Sequence, residues 1–375
     1  MPIPKSIGSA QARSGRIQYG KWEAFRHPTG QVEFLPVVIA QGVKDGPCLW
    51  LTAGIHGPEH TGPLVLHELI NPQLVERMRG TIVAIPALNP VGLRMMLRQP
   101  HPDSKDPNRL WPDGKPKKPH DPDKEPPSPL EVTYQKLFQA MLESADYLID
   151  YHNAWTNSIS FAFQDRVLFR PDEDGTAKAR AEVLLGKQQE MLYAYGHTIV
   201  GEMPIKKLIE EELHRSTSAA LLYLGGRPAF TAELGTGHMP DPAIIHASVA
   251  GTRNVMRWAG MLDGEPEPIQ GIKVVDPGYP VRRLSTPRMK KAGVILHLLQ
   301  SGDMVVKGQP VAEVRDIWGR PIGDGLIHSE YGGFVLGRSH GIFFYPGEAV
   351  MNMAVPLEGE MVEPYPNDYF NVSKV

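Results

Sequence analysis

Short apolar runs alternate with segments of helical spacing between residues 32 and 88, and this alternation constrains the fold most strongly. Residues 32–42 and 48–55 are apolar and bounded by glycine or proline, which is typical of buried strands. Residues 60–78 place apolar side chains on one helical face, and residues 81–88 form another short apolar run. Strand, helix and strand in this order indicate a parallel α/β unit.

The alternation continues to about residue 262. The sequence predicts further helices over 130–144, 177–195 and 243–262, and further strands over 146–151, 158–165 and 228–234. We therefore predict an α/β catalytic domain over residues 1–265, closed by a linker that is rich in acidic residues, proline and glycine.

The last hundred residues differ in character and contain an internal repeat. KGQPVAEV (307–314) lines up with PGEAVMNM (346–353), and GVILHL (293–298) precedes the first copy about as GFVLGR (333–338) precedes the second. Duplicated β-hairpins predict a small β-domain with pseudo-twofold symmetry over residues 266–375.

Residues 99–129 interrupt the α/β pattern with a proline-rich stretch. So many prolines exclude regular structure there. Long loops inside compact domains are commonly functional. The motif DPNRLWP (106–112) favours an ordered role at the active site for the first part of this loop.

Composition excludes several classes of function. The net charge of -3 offers no electrostatic basis for binding nucleic acid or a membrane surface. The single cysteine, Cys48, excludes an intramolecular disulfide and a cysteine-based zinc site. No apolar stretch approaches the ~20 residues that span a bilayer, and the N-terminus lacks the apolar core of a secretion signal. We therefore expect a cytoplasmic protein.

Two histidine motifs each follow or close a predicted strand. In AGIHGPEHTG (53–62), His56 and Glu59 lie three residues apart at a strand-to-helix turn. In LIDYHN (148–153), His152 closes another strand, and Asp150 lies on the same face of that strand. Imidazole and carboxylate groups are zinc ligands, and open α/β sheets place their sites at strand ends. Each motif alone is unspecific.

Cationic and acidic residues complete the candidate site. Arg98, Asn108 and Arg109 lie in and beside the proline-rich loop, where guanidinium groups suit a carboxylate substrate or a developing oxyanion. Glu233 ends the apolar strand PAFTAEL (228–234). A buried acid is costly unless it is paired or used, so Glu233 is a candidate general base.

Together these motifs carry a family resemblance. In chain order they are Gly54-Ile-His56-Gly-Pro-Glu59, Asn89-Pro90, Arg98, Asp106-Pro-Asn108-Arg109-Leu-Trp111-Pro112, Asp150-Tyr-His152 and Glu233-Leu-Gly235. Residues 35–355 thereby resemble the succinylglutamate desuccinylase/aspartoacylase family of the zinc carboxypeptidase superfamily. The resemblance implies a mixed sheet flanked by helices, as in zinc carboxypeptidases, and a C-terminal β-domain similar to a biotinyl/lipoyl barrel.

The resemblance also implies a role for each site residue. His56, Glu59 and His152 would bind one Zn²⁺ per chain, and Glu233 would act as general base toward the attacking water. Arg98 would stabilise the oxyanion. Asn108 and Arg109 would bind a carboxylate of the substrate.

This sequence departs from the family pattern at several points. Pro58 stands where asparagine is common, and the long spacing from Arg98 to Asp106 leaves Arg94 as an alternative oxyanion residue. Residues 113–129 look like an insertion at the substrate mouth. The junction between the repeat copies, VRDIWGRPIGDG (314–325), lacks the lysine that a biotinyl or lipoyl carrier modifies, so a structural or gating role is predicted for the β-domain.

Three hypotheses of function follow. The first is a zinc-dependent deacylase that hydrolyses the amide bond of a small N-acyl amino acid or related amide. The second is an exo-acting metallocarboxypeptidase on a peptide or isopeptide. The third is a non-catalytic metal-binding protein. It is disfavoured because the site residues of all four motif segments are present. We expect a small-molecule or short peptide substrate and no nucleic-acid or membrane partner, and a homo-oligomer remains open.

Overall fold

The computed structural model describes residues 4–99, 104–115 and 126–370. Its first strands and helices build the α/β region: β1 (Ser6–Ile7), β2 (Ala10–Gln11), β3 (Arg16–Arg26), β4 (Val32–Gln41), β5 (Lys44–Ala53), α1 (Thr61–Leu69), α2 (Pro72–Arg77), β6 (Arg79–Ile85), α3 (Pro90–Met95), α4 (Pro129–Ser144), β7 (Tyr147–Ala154), β8 (Ser160–Gln164), β9 (Val167–Phe169), α5 (Ala177–Tyr195), β10 (Thr198–Gly201), α6 (Ile205–Glu210), α7 (Thr217–Gly225), β11 (Ala229–Thr236) and α8 (Pro242–Trp258).

The remaining elements are strands: β12 (Val281–Ser285), β13 (Gly293–His297), β14 (Met304–Val305), β15 (Pro310–Arg315), β16 (Pro321–His328), β17 (Gly333–Arg338), β18 (Phe343–Phe344), β19 (Met351–Pro356) and β20 (Val362–Pro364). Two short 3₁₀ turns cover Pro107–Arg109 and Leu213–Arg215. Most of the predicted insertion at 113–129 lies outside the described residues.

A twelve-stranded mixed sheet forms the centre of the molecule, in the order β14-β17-β19-β12-β10-β8-β11-β7-β5-β6-β4-β3. Strands β6, β5, β7 and β11 are mutually parallel, and β8 runs antiparallel to β11. The predicted mixed α/β fold is therefore confirmed.

The central strands are apolar on both faces because helices cover both sides of the sheet. In β5, Trp50 belongs to the core cluster shared with α4 and α7, whereas Leu49 and Leu51 belong to the cluster shared with α1, α5 and α8. Burial on both faces explains why these strands read as continuous apolar runs.

One predicted helix is two. The spacing over residues 60–78 predicted a single helix, but α1 ends at Leu69 and α2 begins at Pro72. The prediction was wrong because Pro72 has no N–H to continue a helix, and the Asn71 side chain caps the new one by accepting a hydrogen bond from the Leu74 N–H at 2.9 Å.

The C-terminal strands form two layers around a separate core. Strands β16, β15, β13 and β18 make a four-stranded antiparallel sheet, while β12, β14, β17 and β19 extend the large sheet. Their apolar side chains form one cluster that includes Ile295, Val311, Val335 and Met353. The division at residue 265 and the similarity to a biotinyl/lipoyl barrel stay predictions.

The repeat is visible in the strand pairing. Strands β13 to β15 correspond to β17 to β19, and each sheet contains the short middle strand of the other copy. Thus β14 pairs with β17, and β18 pairs with β13. This exchange agrees with the pseudo-twofold arrangement expected from the repeat. No helix in the described part of the chain is both long and apolar enough to cross a membrane.

Candidate metal centre and active site

The candidate site lies at the carboxyl ends of three neighbouring strands, β5, β7 and β11. His56 follows the end of β5, His152 lies near the end of β7, and Glu233 occupies the matching level of β11, where it is the register partner of His152. Parallel strands bring their carboxyl ends to one edge of a sheet, so three distant segments meet there.

His56, Glu59 and His152 form one compact group. The Nδ1 atom of His56 lies 2.7 Å from Glu59 Oε1, and the Nδ1 atom of His152 lies 2.9 Å from Glu59 Oε2. One ligand atom from each residue lies within 4.8 Å of the others. All three residues are buried, so the group is shielded from bulk water.

A carboxylate lies behind each histidine. His56 Nε2 is 2.9 Å from Asp106 Oδ1, and His152 Nε2 is 2.9 Å from Asp150 Oδ2. Asp150 is itself fixed by Thr52, whose hydroxyl donates to Asp150 Oδ1 at 2.6 Å. With Nε2 donating to a carboxylate, each imidazole keeps the lone pair on Nδ1 for a metal.

The electrostatics of the group favour a cation. Burial opposes ionisation of Glu59, but His56 and His152 outweigh it and hold the pKa of the Glu59 carboxyl below its usual range. Burial alone would lower the pKa of His152, yet Asp150 and Glu59 raise it well above the ordinary value. The surrounding carboxylates thus stabilise positive charge, and two imidazoles with one carboxylate are a donor set that suits zinc.

Glu233 is a buried acid beside this group. It lies in the same cavity as His56, Glu59 and His152, and its Oε2 has no hydrogen-bond partner among the described residues. Burial raises the pKa of Glu233 to about 7, with His152 opposing the shift and Glu59 adding to it. A carboxyl group with a pKa near neutrality can both accept and return a proton.

Arg98 lies at the rim of the cavity and Arg94 does not. The Arg98 guanidinium donates to Asp106 Oδ2 at 2.8 Å and lies 3.5 Å from Glu59 Oε1. Arg94 instead lies 3.5 Å from Glu33, and its side chain is 65% exposed. Of the two arginines proposed for the oxyanion role, the structure brings Arg98 to the candidate metal group.

Asn108 and Arg109 are held rigidly against the cavity. The Oδ1 atom of Asn108 accepts from the Thr217 N–H at 2.9 Å. Arg109 donates from Nε to the Glu211 carbonyl at 2.9 Å and from Nη1 to the Asn108 carbonyl at 2.8 Å. It forms no ion pair with a described carboxylate, so its Nη2 remains suited to an anionic group of a substrate.

Asn153 ties the elements of the site together. Its Nδ2 donates to Thr61 Oγ1 at 2.8 Å and to the Leu234 carbonyl at 2.6 Å, while its backbone N–H donates to Glu59 Oε2 at 3.2 Å. The buried side-chain amide therefore fixes the start of α1 and the end of β11, and the backbone N–H of the same residue fixes a candidate ligand.

All seven predicted site residues line one cavity of about 330 Å³. The comparison with protein families matches residues 45–259, more than half of the chain, to the succinylglutamate desuccinylase/aspartoacylase catalytic domain. The chain belongs to this family. The resemblance read from the motifs is confirmed, and the chain is therefore a member of a family of deacylases.

Solved structures named for the same family share the fold. A succinylglutamate desuccinylase from a Silicibacter species superposes with a TM-score of 0.67 at 21% identity, over 90% of this chain and 95% of the other. A succinylglutamate desuccinylase/aspartoacylase from Rhodobacter sphaeroides has a TM-score of 0.67 at 17% identity, over 91% and 96%.

The product-bound ectoine utilization protein EutE (DoeB) from Ruegeria pomeroyi has a TM-score of 0.66 at 19% identity, over 90% of this chain and 95% of the other. At these identities the likeness concerns the fold. No curated protein matches the chain.

The cavity of this family member also contains charged residues that the motifs did not predict. Asp165, Glu202 and Arg283 line it together with the seven predicted residues. Asp165 had a local signal, because it closes the apolar run SISFAFQD (158–165) in the way that Glu233 closes its own strand. Arg283 had none, since it comes from the C-terminal region. Nor did the motifs assign Asp106 a role beside His56.

Proposed function

We propose that this protein is a zinc-dependent deacylase that hydrolyses the amide bond of a small N-acyl amino acid. The observation that carries the proposal is the buried, unpaired carboxylate of Glu233 in the same cavity as the His56, Glu59 and His152 group. A metal-binding protein without catalysis has no use for such a group, because burying an unpaired acid costs free energy.

The chemistry of the donor atoms supports zinc as the metal. His56 and His152 would hold it through Nδ1 and Glu59 through its carboxylate, which leaves a coordination position open, as catalytic zinc requires. When bound, zinc supplies Lewis acidity, polarising the amide carbonyl and making water more acidic.

The chain's own residues carry the proton and bind the substrate. Glu233 takes a proton from the attacking water at one of its carboxylate oxygens and later gives it to the leaving nitrogen. Arg98 donates hydrogen bonds to the oxygen that becomes negatively charged as the amide carbon turns tetrahedral. Asn108 and Arg109 hold a carboxylate of the substrate, which keeps the amide in a reactive position.

The size of the cavity supports a small substrate. About 330 Å³ lies at the lower end of the range for small-molecule sites. His340, in the loop after β17, and Arg283 of β12 also line it, so the C-terminal region forms part of the cavity wall. A folded polypeptide would not enter such a space.

A substrate panel tests the proposal. The zinc-loaded protein should hydrolyse N-acetyl or N-succinyl amino acids and leave dipeptides and tripeptides of the same amino acids intact, as measured by release of free amine. Cleavage of peptides without cleavage of N-acyl amino acids would instead establish the carboxypeptidase activity.

A further inference from the structure

After the C-terminal strands, the chain returns to the α/β region. Strand β20 (Val362–Pro364) pairs in parallel with β9 (Val167–Phe169). Arg166, directly before β9, is buried and its Nη1 donates to the Glu363 carboxylate at 3.0 Å. Backbone pairing and an ion pair therefore anchor residues 362–370, which we call the return segment.

Aromatic side chains of the return segment pack against the outer side of the substrate cavity. Tyr365 and Tyr369 are buried, and their ring centres lie 4.8 Å apart. Phe370 lies 4.9 Å from Tyr369 and packs against the same apolar cluster. Leu213 also packs against this cluster, and it lines the cavity that holds the candidate metal group. Leu213 therefore connects the return segment to the cavity wall.

Tyr369 bridges two loops beside the cavity. Its hydroxyl donates to the Asp113 carbonyl at 3.3 Å, in the loop that carries the DPNRLWP motif. Its ring packs edge-on against the buried ring of His214, in the second 3₁₀ turn (Leu213–Arg215), with 5.4 Å between the ring centres. The Lys115 ammonium lies 4.3 Å from the centre of the Tyr369 ring. One side chain thus contacts both loops.

The same two loops are hydrogen-bonded to each other around the predicted substrate-binding residues. The Trp111 N–H donates to the Arg215 carbonyl at 3.3 Å, and Arg215 Nε donates to the Trp111 carbonyl at 3.0 Å. Asn108 and Arg109 each make a hydrogen bond of 2.9 Å to residues 211–217. The positions of both side chains therefore depend on how the second loop is held.

We propose that Tyr369 is a positioning residue for Asn108 and Arg109. It is not among the described residues that line the cavity, so it acts through the two loops and not on the substrate directly. The proposal rests on the proposed deacylase function, because it names a residue that sets the affinity of that site for its substrate. His152 and Glu233 are held by β7 and β11, so the loss of Tyr369 should weaken substrate binding more than proton transfer.

Kinetics of two variants separate the ring from the hydroxyl. In Tyr369→Ala we expect KM for the best N-acyl amino acid to rise about tenfold or more, with kcat within about threefold, since a displaced binding group weakens ground state and transition state alike. Tyr369→Phe keeps the ring and loses one neutral hydrogen bond, so its KM should stay within about fivefold of the unmodified protein. Zinc content should be one ion per chain in all of them.

The matched control is Tyr193→Ala. It removes the same side chain from α5, where Tyr193 is 73% exposed and is not among the described residues that line the cavity. Its KM and kcat should equal those of the unmodified protein. If Tyr369→Ala does not fold, Tyr369→Leu retains an apolar side chain in the cluster and carries the same expectations.

Hydrogen exchange gives a local measurement that needs no substrate. Amides in residues 108–111 and 213–217 make the hydrogen bonds that join the loops. They should exchange faster in Tyr369→Ala and at nearly the original rate in Tyr369→Phe, while those of β7 (Tyr147–Ala154) keep their rate in both. General loss of stability would instead speed exchange in β7 as well.

The possible results are distinct. A fall in kcat at unchanged KM, or exchange that is equally faster in β7 and in the two loops, would overturn the positioning role while the deacylase function stands. If the unmodified protein hydrolyses no N-acyl amino acid, the proposed function fails and exchange alone decides. Faster exchange confined to the two loops would then support the role of Tyr369, and unchanged exchange there would overturn it.

Discussion

At the scale of single residues, Glu59 organises the site. Its two carboxylate oxygens face different histidines, at 2.7 Å for His56 and 2.9 Å for His152, and the backbone N–H of Asn153 fixes the second oxygen. Because one short side chain joins the β5 turn to the end of β7, the distance between the histidines follows from its length.

The residue that most directly tests the chemistry is Glu233. The change Glu233→Gln keeps the size of the side chain but removes its ability to accept a proton. We expect zinc content to remain at one ion per chain while kcat falls by roughly three decades, as is typical for loss of a general base. Metal analysis and turnover of the best N-acyl amino acid measure the two effects. Full activity in this variant would show that another group is the base.

Metal binding depends on His152. The change His152→Ala removes one imidazole, and Asp150 loses its contact at 2.9 Å while keeping the hydrogen bond from Thr52. We expect zinc content after dialysis to fall well below one ion per chain. The matched control is His246→Ala, at an exposed position on α8, which should keep full zinc content. Undiminished zinc in the His152 variant would exclude this residue as a ligand.

Sequence reasoning reached the residues whose signal is local. His56, Glu59, His152 and Glu233 all lie in or directly after apolar strands, where a polar side chain is conspicuous. It did not predict that Asp106 contacts His56, or that Arg283 lines the cavity. Both placements depend on segments that meet only after folding.

At the scale of secondary structure elements, the turn after β5 packs against the segment that carries Arg98. A Cβ atom at Gly57 would lie 2.1 Å from the Gly92 carbonyl oxygen and 2.4 Å from the Leu97 carbonyl oxygen. The backbone N–H of Gly57 also donates to the Leu97 carbonyl at 3.2 Å. Only glycine permits this approach, which holds the rim arginine near the candidate ligands.

Replacing this glycine should therefore separate the two segments. Gly57→Ala forces both carbonyls away, and we expect a lower melting temperature together with a kcat/KM reduced by about tenfold or more. The control is Gly186→Ala within α5, where an added Cβ meets no atom within 4 Å. That change should stabilise the protein by up to about 1 kcal/mol, because alanine favours helix. Equal melting temperatures for the two variants would contradict this account.

Buried elements were predictable and edge elements were not. The runs that became β4 to β8 are apolar because the sheet buries them. Strand β3, Arg16–Arg26, escaped prediction because polar and charged side chains run through it and it forms one edge of the sheet. Its ten residue pairs with β4 come from backbone hydrogen bonding, which leaves little trace in the sequence.

At the scale of the whole molecule, buried histidines make stability depend on pH. Burial lowers the pKa of His197 and of His214 to about 4. The unfolded chain binds protons near pH 6.5, whereas the folded protein does not until about pH 4. The contribution of these neutral histidines is therefore full above pH 6.5 and is lost as the pH falls toward 4.

Denaturant unfolding at pH 7.5, 6.5, 5.5 and 4.5 measures this dependence. Each histidine should lower the free energy of unfolding below pH 6.5 by up to about 1.4 kcal/mol per pH unit. Buried Glu233, whose pKa is raised to about 7, contributes in the opposite sense, so the histidine share is measured as the difference in slope between the unmodified protein and His197→Gln. An identical slope for the two proteins would contradict the prediction.

The junction of β10 with β12 has a consequence for synthesis. The candidate metal ligands all lie before residue 153, yet β10 has an open edge until Val281–Ser285 has been made, and Glu202 lacks its arginine until then. A growing chain therefore exposes an unpaired strand edge for about eighty residues of translation, and such edges pair readily with other chains. Messages truncated in this interval would yield aggregation-prone polypeptides that contain all three candidate metal ligands but lack the Glu202–Arg283 ion pair of the cavity.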